Sequence, residues 1–239
     1  MGRGPSIEGR KNAADASRGK LFTKLIREIT IAARTGGADP NGNARLRAGI
    51  DKAKAVSMPN DTIERALKRA TGADADKMEE IRYEGYGPSG VALIIDCMTD
   101  NSQRTVSDVR HALGKHGGNL GTSGSVAFQF KHVGELIVDT SKPGAEDKLL
   151  EAALDAGADD VQSEDGESIV LTSTENFAAV KKALTDAGFT PSKADVIWRP
   201  DNRTPVNAEV AETLRDLIDW LNELDDVQEV YHNAELLVG

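Results

Sequence analysis

Fifteen Lys and Arg residues crowd the first 72 positions, and their spacing is the strongest chemical signal in the chain. At about 100° per helical residue, Lys20, Lys24, Arg27 and Arg34 share one stripe, with Ile31 intruding among them. Arg45, Arg47, Lys52 and Lys54 follow on a second candidate helix and Arg65, Lys68 and Arg69 on a third, while Arg3, Arg10, Lys11 and Arg18 precede them all. Cations at this density suit phosphate, because each one neutralises a backbone charge and releases a condensed counterion. A single charged stripe is ordinarily a solvated helix face, but three basic helices together favour a nucleic-acid surface. Phe22 is the only aromatic residue before Tyr83 and lies on the apolar side, so backbone and shape recognition is expected rather than base stacking.

The remaining clusters point less clearly to chemistry. Gly117-Gly118-Asn119-Leu120-Gly121 follows a candidate helix rather than opening one, and no Gly-x-x-x-x-Gly-Lys-Ser/Thr run exists, so capping is expected over nucleotide binding. Asp96 and Asp100 flank Cys97, where paired carboxylates would hold Mg²⁺ or activate the thiol. Cys97 continues the apolar run from Val91 to Ile95, however, and reads as core. His111 and His116 stand five apart, off the i, i+4 spacing of a shared metal face. With one cysteine and four histidines, no zinc set or disulfide is expected, and no Ser/His/Asp set is recognisable. The expectation is no catalysis, no cofactor and no metal.

Three elements must position the cations. Leu21, Phe22, Leu25, Ile26, Ile29 and Ala33 recur at helical spacing between Arg18 and Arg34, and Gly36-Gly37 follow as a stop. A second helix is expected from about Asn43 to Val56, burying Leu46, Ile50 and Ala53. Beyond Pro59, Asp61 and Glu64 have capping-box spacing and Gly72 suits a C-cap. A helix-turn-helix stays open as their arrangement, although the Gly37 to Gly42 connection is long and glycine-rich. Met1 to Gly72 carries 15 Lys+Arg against 7 Asp+Glu and the remainder 14 against 32, so an arm of net +8 joins a body of net -18.

Past Gly72 the pattern turns to β-β-α-β: strands at Ile81 to Glu84 and Val91 to Met98, a helix from Thr105 to His116, and alternation from Ser125 to Phe130. Then comes a repeat. Gly134-Glu135-Leu136-Ile137-Val138-Asp139-Thr140 matches Gly166-Glu167-Ser168-Ile169-Val170-Leu171-Thr172 at five of seven positions, each copy preceding a helix that ends in Asp-Ala-Gly. Two β-α-β halves make a ferredoxin-like unit. The helix expected over Val206 to Leu224 and the strand over Val227 to His232 return to the first α/β region. The expected α+β architecture has three domains: residues 1-76, a basic helical domain; 77-133 plus 201-239, a discontinuous α/β domain; and 134-200, an inserted ferredoxin-like domain.

Glu80-Ile81-Arg82-Tyr83-Glu84-Gly85-Tyr86-Gly87-Pro88, Thr99-Asp100-Asn101 with Arg104-Thr105-Val106, and Gly117 to Thr122 with Gly124-Ser125-Val126 together resemble the YebC/PmpR family. Leu21 to Glu28 and Asp61 to Ala66 extend the resemblance over essentially the whole chain. Many members begin with Gly-His-Ser-Lys-Trp leading to Lys-His-Arg-Lys, whereas Gly2 to Lys11 keeps the cations and lacks the His and Trp.

The resemblance implies three domains, a helical N-terminal one, and no known enzymatic activity. It also implies regulation of gene expression in one of two forms. Bacterial members are described as DNA-binding transcriptional regulators. The mitochondrial branch, the translational activator of cytochrome c oxidase subunit I, and some bacterial members associate with ribosomes and ease stalls at proline-rich sequences. Lacking a recognisable groove-reading helix, the sequence favours ribosomal RNA over duplex DNA, with ribosomal proteins as further partners; a protein-only adaptor ranks lower. No window approaches a membrane span, and Met1 to Lys20 has no apolar signal core, so the expected location is the cytoplasm.

Overall fold

The computed structural model describes residues 7–72 and 77–235, with side chains from residue 17 onward. It is a mixed α+β chain whose described residues pack as two compact units, residues 7–72 and 77–123 with Val206–Val230, and Gly124–Pro205 with Tyr231–Glu235. The second unit thus begins ten residues ahead of the repeat at Gly134.

The first unit opens with three helices, α1 (Ile7–Gly36), α2 (Ala44–Ala55) and α3 (Asn60–Ala70). Leu25, Ile29, Ala32 and Ala33 of α1 meet Leu46, Ile50 and Ala53 of α2 and Ile63, Ala66 and Ala70 of α3 in one apolar cluster, with Met58 closing the turn between them. Leu21, expected inside, is 42% exposed. Asn43 fastens the α1–α2 connection. Its Oδ1 accepts from the Leu46 amide at 3.1 Å and its Nδ2 donates to the carbonyls of Ala32 and Gly37 at 2.7 and 2.8 Å. The capping box expected of Asp61 and Glu64 does not form. Extended Pro59 is the N-cap, and Asp61 instead lies inside the first turn, where a carboxylate favours the helix dipole. Gly72 lies one residue past the C-cap Thr71.

The same unit holds β1 (Glu79–Tyr86), β2 (Ala92–Thr99), α4 (Ser102–Lys115), β3 (Asn119–Leu120), α7 (Ala208–Glu223) and most of β9 (Val227–His232). The sheet order is β3-β1-β2-β9, with β1 antiparallel to β2 from Glu79↔Thr99 to Tyr86↔Ala92. Glycine is required where β3 joins β1: a Cβ on Gly118 would sit 2.0 Å from the Tyr86 carbonyl oxygen.

The second unit contains β4 (Phe130–Asp139), α5 (Ala145–Asp155), β5 (Asp160–Glu164), β6 (Glu167–Thr172), α6 (Phe177–Asp186) and β7 (Lys193–Pro200). Their order, β5-β6-β4-β7 with every neighbour antiparallel, is ferredoxin-like. The two repeat copies pair with each other, and Ile137 faces Ile169, its own counterpart, so the local two-fold axis passes between them. The strand expected over Ser125 to Phe130 is not formed: Ala127–Gln129 is a short 3-10 turn with Phe128 74% exposed, and β4 starts only at Phe130. A short parallel pair, β8 (Thr204–Pro205) with β10 (Ala234–Glu235), completes the unit. Among the described residues no helix is long and apolar enough to cross a membrane.

Candidate nucleic-acid interface

The α1 stripe does not face solvent as expected; it docks on the C-terminal end of α7. Lys20 donates to the Glu223 carbonyl at 3.2 Å and pairs with the Glu223 carboxylate. Lys24 donates to the Asn222 carbonyl at 2.7 Å. Arg27 Nη1 reaches the carbonyls of Met98 and Asp225 at 2.8 and 2.9 Å and Asp226 Oδ1 at 2.9 Å. The physical reason lies in α7, whose last turn has no basic residue of its own. A helix end leaves carbonyls unpaired and carries partial negative charge, and α1 supplies the missing cations. Burial pushes Lys24 below the ordinary lysine range, against the opposing pull of Glu229 and Asp225. Ile31, the apolar residue within the stripe, is 1% exposed.

Asp226 is the centre of this joint, and sequence reasoning missed it. Its Oδ1 accepts from Arg27 and from Arg104 Nη2 at 2.9 Å, and its Oδ2 accepts from Arg104 Nε at 3.1 Å and Thr105 Oγ1 at 2.8 Å. Thr105 is bonded in turn to Thr99 Oγ1 at 2.8 Å. One buried carboxylate therefore ties α1, α4 and the start of β9 together with its hydrogen-bonding capacity filled. The available signal was Ile31, since an isoleucine amid four cations marks a face that is covered.

The cations of α2 and α3 divide into two groups. Arg45 forks between Glu28, with Nε to Oε1 at 2.8 Å, and Glu80. Arg47 bonds the Pro40 carbonyl and Asn41 Oδ1 at 3.2 and 2.7 Å. Arg65 is exposed and, among the described residues, reaches the Asp61 carbonyl and the Thr62 hydroxyl. Lys54, Lys68 and Arg69 are exposed, with no side-chain partner among the described residues. Arg18 lies over the Phe22 ring, 5.4 Å from its centroid, and Arg34 and Lys52 are engaged within the chain. Arg3 lies outside the described residues; Arg10 and Lys11 fall in α1, but their side chains lie outside them too. Among the described residues, the arm's cations that remain open without a side-chain partner, Lys54, Lys68 and Arg69, lie on α2 and α3.

Residues 4–73 match the model for the TACO1/YebC protein N-terminal domain, and residues 78–234 match that for the TACO1/YebC second and third domain. The chain belongs to the TACO1/YebC family. A probable transcriptional regulatory protein of Stenotrophomonas maltophilia is 58% identical over 240 residues, covering 99% of this chain and 98% of the relative. Another of that description, from Xanthomonas oryzae pv. oryzae, is 54% identical over 98% of each chain. The crystal structure of a conserved hypothetical protein of Aquifex aeolicus, 43% identical, superposes with a TM-score of 0.83 over 94% of this chain and 93% of that one.

In this TACO1/YebC chain the residues of the other clusters make contacts within the fold. Arg82 clasps Asp96 in two parallel bonds of 2.7 and 3.2 Å, and Asp100 pairs with Arg104 at 2.9 Å. Burial, with Asp226 and Asp96 nearby, pushes the Cys97 thiol up to about 12. Gly117, at φ +73°, ends α4, and the Gly118 amide donates back to Leu113 O at 2.8 Å, a Schellman-type closure. His111 and His116 flank Trp220, with ring centroids 5.9 and 5.4 Å away. No group of three or more His, Cys, Asp or Glu is arranged to hold a metal among the described residues.

Proposed function

We propose that the chain is a non-enzymatic, nucleic-acid-binding regulator of gene expression that contacts phosphate through the exposed cations of α2 and α3. The observation that carries this reading is the contrast within the basic arm. Lys20, Lys24, Arg27 and Arg45 are held by the chain's own carbonyls and carboxylates, whereas Lys54, Lys68 and Arg69 face solvent without a partner among the described residues. Residues 44–72 hold seven Lys and Arg against three Asp and Glu, so the patch is basic on balance.

Both helices lie along α1 rather than on each other, and each turns a face into the shared core. Neither stands clear as an element shaped for a major groove, which favours phosphate and shape recognition. That supports folded RNA, ribosomal RNA in particular, and a role in translation such as easing stalls at proline-rich stretches. The names of the relatives favour a second reading, a transcriptional regulator on duplex DNA. The caps and ion pairs that absorb the glycine and carboxylate clusters support binding rather than catalysis. Crosslinking in cells followed by sequencing of both RNA and DNA tests the choice. Reproducible ribosomal RNA sites are expected, and enrichment only at discrete promoters would replace the first reading with the second.

A further inference from the structure

We infer that the α1 stripe is a second phosphate-binding patch held shut by the last turn of α7. Lys20 and Lys24 exchange the carbonyls of Glu223 and Asn222, and the Glu223 carboxylate, for nucleic-acid phosphate. Arg27 on Asp226 remains fixed as the pivot. This inference rests on the reading of the chain as a nucleic-acid binder and adds a masked site to it.

The two halves of the joint differ in what holds them. At the pivot, the Arg27 and Asp226 side chains are 16% and 7% exposed, and Asp226 accepts from three residues. Separating them would strand a buried charge, so this half does not exchange. At the outer half the Lys20 and Glu223 side chains are 36% and 70% exposed. Ion pairs that open are screened by salt and contribute little. Lys24 has a neutral carbonyl as its hydrogen-bond acceptor. The hydrogen-bond acceptors named for Lys20 and Lys24 thus imitate phosphate weakly: partial charges at a helix end and the exposed Glu223 carboxylate, with Glu229 and Asp225 adding attraction at Lys24. A nucleic-acid backbone offers full charges and releases counterions on binding. The expected site residues are the ones that the sequence singles out, reached only after the outer half opens.

The test uses the full-length protein and a mixed-sequence RNA duplex as probe, with affinity measured across a salt series. Glu223→Lys repels Lys20 and opens the outer half; Glu212→Lys makes the same charge change three turns away on α7. Glu223→Lys is expected to bind several-fold tighter than Glu212→Lys, with a log-log salt slope steeper by about 0.7 to 1.8, that is, one or two more phosphates neutralised. The excess must vanish when Lys20 and Lys24 are also changed to Gln. Equal behaviour of the two single variants, including no binding by either, overturns the inference, as does an excess that survives loss of both lysines. Reversing Lys54, Lys68 and Arg69 reads the α2–α3 patch separately, so either proposal can fail alone.

Discussion

Asp226 and Arg27 stand 199 residues apart in the chain and 2.9 Å apart in space. Burial pushes the Asp226 carboxyl up, but hydrogen bonds from Arg104, Arg27 and Thr105 together outweigh it and hold the group below the usual aspartate range. A carboxyl depressed in the folded state contributes stability that is fully present above its unfolded pKa, about 3.9. The contribution is lost as pH falls through the lower folded value.

Asp226→Asn should therefore destabilise the protein near neutral pH, by about 3 kcal/mol if the pair behaves like other buried ion pairs that lose one partner. Urea denaturation of wild type and variant at a series of pH values checks this. The gap between them should narrow once the pH drops below the ordinary aspartate range. A gap of constant size down to the acid limit would mean that the carboxylate charge is not what holds the joint.

A pair of glycines in and just after α4 should respond in opposite directions to alanine. At Gly118 the new methyl would meet the Tyr86 carbonyl oxygen at 2.0 Å, a backbone atom that cannot swing aside. Gly118→Ala should cost at least about 1–3 kcal/mol, the range of ordinary overpacking. Gly114 lies inside α4, exposed, with nothing within 4 Å of its would-be Cβ. Gly114→Ala should stabilise by about 0.5–1 kcal/mol through helix propensity alone. Thermal melts of the two variants decide.

Much of this fold is legible in local pattern, because most of its elements are set by local periodicity and turn chemistry. The strand from Val227 to His232 has the expected bounds, and the two Gly-Glu-x-Ile-Val copies sit side by side as β4 and β6. Patterns fail where a neighbour distant in sequence decides. Periodicity shows that Lys20, Lys24 and Arg27 share a face, but says nothing of what that face meets. The α7 carbonyls that receive Lys20 and Lys24 lie some 200 residues on, as does the Asp226 carboxylate that receives Arg27. The alternation from Ser125 to Phe130 misled for a related reason: Val126 and Phe130 are buried but Phe128 between them is turned outward, so the three do not share one strand face. At α3, Pro59 preset the helix entry and displaced the capping box.

Cys97 should be inert to thiol reagents in the folded state. It is buried, and a thiol pushed up to about 12 holds almost no thiolate at pH 8. Its modification rate should track global unfolding and rise steeply in denaturant. Fast labelling of the native protein at pH 8 would contradict both its burial and its place in the core.

The cations of the basic arm should separate into those that hold the fold and those that hold a ligand, and two variants distinguish them. Arg27→Met removes the pivot of the joint, leaves Asp226 with two donor residues and should lower thermal stability. At temperatures where this variant is folded, its affinity for an RNA duplex should not fall below that of wild type, because Arg27 itself contacts Asp226 and not phosphate. Replacing Lys54, Lys68 and Arg69 by Glu touches no side-chain hydrogen bond or ion pair among the described residues and acts on stability only through the dipoles of the last turns of α2 and α3, so its loss of melting temperature should be smaller than that of Arg27→Met. Affinity should instead fall, and the log-log salt slope should flatten by about 0.7–0.9 for each phosphate no longer neutralised. Titrations at several salt concentrations give both quantities. Should the triple variant keep the wild-type slope while Arg27→Met loses it, the phosphate-binding surface would lie on the α1 side and the α2–α3 patch would be no more than a solvated face.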